Sequence, residues 1–128
     1  MTGGGRKIMK KVVVIEDDPD VIALIRDVFD SQNIDACFFS SSTDGLKEII
    51  KTHPDLVIMD LMMPNISGFE ICKIIRTNEK LKNIPIMVLT GYDSQKVRKE
   101  IFSYGIDDYL AKPFDIQVFI EKVLRFVK

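Results

Sequence analysis

The chain has 128 residues, a length that suits a single domain, and 46% of them are hydrophobic, enough for a sizeable core. Its net charge of −1, with Lys and Arg spread along the chain, gives no support for a nucleic-acid surface. No apolar run nears the ~20 residues of a membrane span and no secretion signal opens the sequence, so a cytoplasmic protein without membrane contact is expected.

Residues 1–10 begin "MTGGGRK" and read as a flexible N-terminal segment or a cloning remnant. The first strand is expected over "KVVVIE", Lys11–Glu16, and runs into Asp17 and Asp18. Two carboxylates ~4 Å apart repel by about 4 kcal/mol at an effective dielectric of ~20, so crowded acids at a strand tip call for a positive partner. Asp18 can cap a first helix with Pro19 at its first position, and Val21, Ile22, Leu24, Ile25, Val28 and Phe29 give that helix its apolar face.

"IDACFF", Ile34–Phe39, is a second strand. "SSST", Ser40–Thr43, supplies caps for a second helix ending near Thr52, with His53 in the loop before Pro54. A single histidine makes a self-contained Ser–His or Cys–His mechanism hard to build. "DLVIMD", Asp55–Asp60, is a third strand, and a third helix is expected over Ser67–Glu79. "IPIMVLT", Ile84–Thr90, precedes a fourth helix marked by Val97, Ile101 and Phe102 that ends before Gly105. "IDDYL", Ile106–Leu110, precedes a fifth helix marked by Ile116, Phe119, Ile120, Val123, Leu124 and Val127. On this helix Lys122, Arg125 and Lys128 read as a solvated face. Cys37 and Cys72 have no metal spacing and no CxxC, and are read as buried thiols in a reducing compartment.

Three of the strands are unbroken apolar runs, as strands covered on both faces must be. Five such units without a repeat or linker make one α/β domain of the (βα)5 type, with helices on both faces of a parallel sheet. Ligands in such sheets bind beyond the carboxyl ends of the strands. Those ends deliver Glu16, Asp17 and Asp18, then Asp60, then Thr90, then Lys112 before Pro113. Oxygen ligands of this kind suit Mg²⁺, and an ammonium and a hydroxyl beside them can hold phosphoryl oxygens. That inventory fits phosphoryl transfer.

The order of these residues resembles the receiver domain of two-component response regulators over nearly the whole chain, with the domain spanning residues 11–128. The segment "DLVIMDLMMPNISGFE" resembles the family's phosphoacceptor strand and loop, and "VLTGYD" and "GIDDYLAKPF" resemble its switch segments. The resemblance implies a doubly wound, flavodoxin-like five-stranded sheet of order 2-1-3-4-5. It implies that Asp60 accepts a phosphoryl group, from a sensor histidine kinase or phosphotransfer protein, in a Mg²⁺-dependent reaction. Asp17 would bind the metal directly, Glu16 mainly through water, and Asp60 and the backbone carbonyl of Met62 would complete the protein's ligands. Thr90 and Lys112 would hold the phosphoryl group, Thr90 and Tyr109 would form the switch, and the Lys112–Pro113 bond would be cis. The helix 4–strand 5–helix 5 surface would then regulate an output domain or protein. Such a chain is a switch with phosphotransfer and autodephosphorylation chemistry more than a conventional enzyme.

Departures from the family pattern are informative too. Asp107 and Asp108 match a branch that dimerises through charged pairs, whereas Val118 and Lys122 replace its Glu and Arg. Met62 and Tyr92 flank the expected path of the attacking water and are bulky, so slow self-dephosphorylation is expected. A haloacid-dehalogenase-like phosphatase would need D-x-D directly after the first strand, and a flavin binder a phosphate loop there; this turn is acidic. A receiver that only binds partners is the remaining alternative, and Mg²⁺-dependent labelling by a small phosphodonor separates it.

Overall fold

The computed structural model describes residues 10–91 and 94–127. The expectations for residues 1–9, for Tyr92 and for Lys128 fall outside them. Five strands, β1 (Lys11–Ile15), β2 (Asp35–Phe39), β3 (Leu56–Asp60), β4 (Ile86–Thr90) and β5 (Asp108–Ala111), alternate with five helices. The helices are α1 (Pro19–Ser31), α2 (Ser42–Thr52), α3 (Gly68–Thr77), α4 (Gln95–Ser103) and α5 (Ile116–Val127). All strand pairings are parallel, in the order β2-β1-β3-β4-β5. This is the doubly wound sheet that the sequence predicts.

The unbroken apolar runs are buried on both faces. Val13, Ile15, Val57, Met59, Ile86 and Val88 face one layer, where Ile49, Ile71, Cys72, Ile75 and Ile101 cover them from α2, α3 and α4. Val12, Val14, Leu56, Ile58, Met87 and Leu89 face the other, under Ile25, Val28 and Phe29 of α1 and Phe119, Val123 and Val127 of α5. Phe119 stacks between Phe29 and Phe114, with ring centroids 5.8 and 5.2 Å away. Stacked arrangements of this kind add to the simple burial of the rings.

Helix starts follow the expected chemistry. Asp18 caps α1 by accepting the Asp20 N–H, with Pro19 in the first turn. Ser41, Ser67 and Ser94 cap α2, α3 and α4 in the same way. Each such oxygen satisfies one of the amides that a helix leaves unpaired at its start.

Several boundaries differ from those predicted. β1 stops at Ile15, although the Glu16 N–H still donates to the Phe39 carbonyl. β2 starts at Asp35, and β4 starts at Ile86 because Pro85 has no N–H to give the ladder. α3 ends at Thr77, since Asn78 turns extended and its side chain accepts the Lys80 N–H. β5 lies one to two residues later than predicted, because Ile106 enters the core and Asp107 bonds its neighbour strand through its side chain. Cys72 is buried as expected, but Cys37 on the edge strand β2 is only half-buried. Lys122 is not simply solvated: its ammonium grips both oxygens of Asp108 at 2.9 Å, while Arg125 stands 3.7 Å from the same carboxylate. Asp107 is held by Arg76, so both aspartates matched to a dimer are paired within the chain. His53 is exposed, caps α2 in a left-handed conformation and precedes β3, at the edge opposite the strand-end acids.

Candidate functional site

Because every strand runs the same way, the sheet gathers its strand ends at one edge. There the chain leaves β1 through Glu16, which is fully buried. Its Oε2 accepts the N–H groups of Asp17 and Asp18, both at 3.1 Å. Its Oε1 lies 2.7 Å from the Lys112 ammonium, yet makes no well-directed hydrogen bond, so that pairing is one of charge more than of direction. Burial raises the Glu16 pKa, and the Lys112 ammonium and the Asp18 amide only partly offset it.

Asp60 closes β3 half-buried. One oxygen accepts the Met62 N–H at 3.1 Å and the other meets Lys112 Nζ at 3.1 Å. Lys112 thus bridges Glu16 and Asp60. Burial works against its charge, but the two carboxylates outweigh that and its pKa ends above the ordinary value. The Lys112–Pro113 bond is cis, as expected. Thr90 ends β4 fully buried, and its carbonyl accepts the Lys112 N–H at 2.8 Å, which ties hydroxyl and ammonium to one backbone frame. Tyr109 sits on β5, half-buried, edge-on to Phe102 at 5.9 Å and with the Arg98 guanidinium 5.7 Å from its ring centre.

Two features that sequence reasoning passed over shape the loop beyond β3. Ser42, expected only as a cap residue, is buried and donates to the Pro64 carbonyl while accepting the Ile66 N–H, so α2 anchors that loop. Gly68 starts α3 directly on the Asp60–Leu61 backbone: a Cβ there would stand 2.9 Å from Leu61 Cα and 3.1 Å from the Asp60 carbonyl oxygen. A glycine directly before Phe69, the first apolar residue of α3, was the available signal. Gly91, by contrast, faces open space.

Glu16, Asp17 and Asp60 each offer an oxygen within 4.8 Å of the others. With Lys112 as the ammonium that touches Glu16 and Asp60, the three carboxylates leave a net −2 when ionised. A cluster of hard oxygen donors with that charge, one of them a buried oxygen lacking a directed hydrogen bond, fits a divalent cation. Asp18, spent on its helix cap, is not part of the group.

Residues 12–124 match the response regulator receiver domain, and the chain belongs to that family. It is a phosphoacceptor switch domain of two-component signalling. Among relatives, the DNA-binding dual master transcriptional regulator RpaA of Synechocystis is 31% identical over 123 residues, covering 94% of this chain. The polar-differentiation response regulator DivK of Brucella ovis is 28% identical over 118 residues, covering 92%. The chain spans 50% of the length of RpaA and 96% of that of DivK. The solved receiver domain of Francisella response regulator 1452 is 32% identical and superposes with a TM-score of 0.84 over 91% of this chain and 95% of that one.

Proposed function

We propose that Asp60 is the phosphoacceptor and that a sensor histidine kinase or phosphotransfer protein supplies its phosphoryl group from a phosphohistidine. The carrying observation is the posture of Asp60, fixed through Met62 N–H and Lys112 and set among acids that suit a divalent cation. Glu16, Asp17, Asp60 and the Met62 carbonyl would hold Mg²⁺, with Asp17 the direct ligand and Glu16 acting mainly through water. When bound, Mg²⁺ supplies positive charge to the transferring phosphoryl oxygens.

The chain's own residues do the rest. An Asp60 oxygen attacks phosphorus, the P–N bond of the phosphohistidine breaks, and the imidazole leaves with its electron pair and takes up a proton. The product on Asp60 is an acyl phosphate. Lys112, kept charged by its neighbours, moves onto the new phosphoryl oxygens, and the Thr90 hydroxyl donates to another. Positioning and charge, not covalent help from further groups, account for the chemistry. As Thr90 turns to the phosphoryl group, Tyr109 repacks and the α4–β5–α5 surface changes for an output domain or protein. This is a shift between two packings biased by a local charge event. No described helix is long and apolar enough to cross a membrane, and cytoplasmic protein partners, not nucleic acid, complete the reading.

The test is incubation of the whole chain with acetyl phosphate, with and without Mg²⁺, read by intact mass. One added phosphoryl group that a chelator prevents is the expected result. A wild-type chain that stays unlabelled in Mg²⁺ overturns the proposal and leaves a binding-only receiver.

A further inference from the structure

Helix α4 is held very differently at its two ends. At its C-terminal end a single side chain from α3 gathers the surrounding backbone. Arg76 donates from Nε to the Gly105 carbonyl at 2.8 Å, and from Nη1 to the Lys82 and Ile84 carbonyls at 3.0 and 2.7 Å. Its Nη2 reaches Asp107 at 2.9 Å, and Asp107 in turn accepts the Ile86 N–H at 2.8 Å. A planar guanidinium with donors in a fixed fork suits this work, and a lysine cannot reproduce it. Gly105 itself adopts φ +85°, and a Cβ there would stand 3.2 Å from Arg76, so the bend after α4 is built around this side chain. Ile101, in the same half of the helix, is fully buried.

The N-terminal half meets a gap instead. A cleft of about 230 Å³ opens between it and the loop that follows Asp60, lined by Leu61, Met62 and Phe69 on one side and Val97 and Glu100 on the other. Apolar walls around unfilled space forgo the packing contacts that closure would restore. On its other flank the helix touches the Tyr109 ring through Arg98 and Phe102. So one end of α4 is pinned to α3 and β4, while the other lies beside open volume next to the phosphoacceptor loop.

We propose that Arg76 and Gly105 form a pivot, and that the switching movement of α4 is a swing about it that changes the width of the Leu61–Val97 cleft. The C-terminal end of α4 and the turn into β5 stay fixed while the N-terminal half moves. The inference rests on the phosphoacceptor reading above and names which part of the switch surface moves. Arg76 is here a positioning residue; it touches no reacting atom.

The test is amide hydrogen exchange on the whole chain, free and loaded with Mg²⁺ and beryllofluoride as the acyl-phosphate mimic, beside acetyl phosphate labelling read by intact mass. Exchange at residues 95–99 is expected to change by about threefold or more on loading, while residues 103–107 stay within about 1.5-fold, since exchange reports local opening segment by segment. In Arg76→Lys the change is expected to spread into residues 103–107 with labelling retained. Val97→Phe, which fills the cleft, is expected to keep labelling but flatten the response of residues 95–99. A wild-type chain that labels yet responds uniformly, in reverse order or not at all along α4 overturns the pivot and leaves the phosphoacceptor reading standing. A chain that does not label overturns both. The wild-type gradient decides the matter even if either variant fails to fold.

Discussion

Carboxylates stand at both edges of the sheet, and they do opposite work. At the amino edge Asp55 precedes β3 and Asp107 precedes β5, and each clasps the first residue of the neighbouring strand twice. The Asp55 N–H donates to the Lys11 carbonyl while its side chain accepts the Lys11 N–H, both at 2.8 Å. Asp107 repeats this on Ile86, at 2.9 and 2.8 Å. At the carboxyl edge Glu16, Asp17 and Asp60 crowd one another around Lys112, and one buried oxygen lacks a directed partner. The side-chain chemistry is the same. What separates the two edges is convergence: Asp55 and Asp107 each hold a separate strand start, whereas oxygens of Glu16, Asp17 and Asp60 lie within 4.8 Å of one another.

The strongest way to break that comparison is to neutralise one acid from each edge. Asp60→Asn is expected to abolish labelling by acetyl phosphate, because an amide keeps the shape and loses the nucleophile. Asp55→Asn keeps an oxygen for the Lys11 N–H and is expected to label like wild type. If intact mass shows both variants labelled equally, the two edges do not differ as described.

Within the acidic edge, Asp17→Asn is expected to weaken Mg²⁺ binding by about tenfold or more, and Asp18→Asn by no more than about twofold, as only Asp17 joins the oxygen cluster. Asn also caps helices well, so the Asp18 variant should fold normally. A metal titration that ranks the two the other way would move the ligand set by one residue.

At the structural edge the expected loss is in stability. Asp107→Ala leaves the Ile86 N–H and part of the Arg76 guanidinium without a partner, and denaturant melts are expected to register about 1–3 kcal/mol. Labelling of the folded variant should survive.

Smaller effects sharpen the contrast between closed and open parts of the molecule. Burial pushes the Cys72 thiol up to about 11. With its folded pKa raised, its contribution to stability is fully present below the ordinary thiol value and is lost as pH rises through about 11. Native protein at pH 8 is therefore expected to give up Cys37 to an alkylating reagent well before Cys72, which should react only on unfolding. Equal rates in peptide mapping would contradict that burial. Last, Met62 is exposed beside Asp60, and Met62→Asn is expected to speed loss of phosphate a few-fold by giving the attacking water a polar partner. An unchanged decay in Mg²⁺ buffer would remove water orientation at residue 62 as a control on lifetime.

The sequence made the site legible for a topological reason. Parallel strands send all their carboxyl ends to one edge, so Glu16, Asp60, Thr90 and Lys112 could be assembled from the order of the strands, which tolerates boundaries wrong by one or two residues. The amino-edge clasps were not legible. Asp107 and Asp108 look alike in a sequence, and a register of one residue sends the first to Ile86 and Arg76 and the second to Lys122. Arg76 stands in the sequence only as a charge within the third predicted helix, and its four partners lie 6 to 31 residues away, so no local pattern brings them together. Lys122 was misread for the same reason: its face of α5 follows from the helix, its reach to β5 does not.

Gly68 governs how such a site can diverge. Its missing methyl lets α3 rest on the very backbone that carries Asp60, with atoms of Leu61 and Asp60 inside contact range of any added carbon. Met62, in the same loop, is exposed, and a Cβ at Gly91, beyond β4, would meet nothing within 4 Å. Variation beside Asp60 is therefore channelled. On the phosphoacceptor reading proposed above, the side chain at 62 can vary at little structural expense, whereas a single carbon at 68 presses on the backbone that carries Asp60. The loop beyond β3 thus carries one position closed to any side chain and another open to solvent.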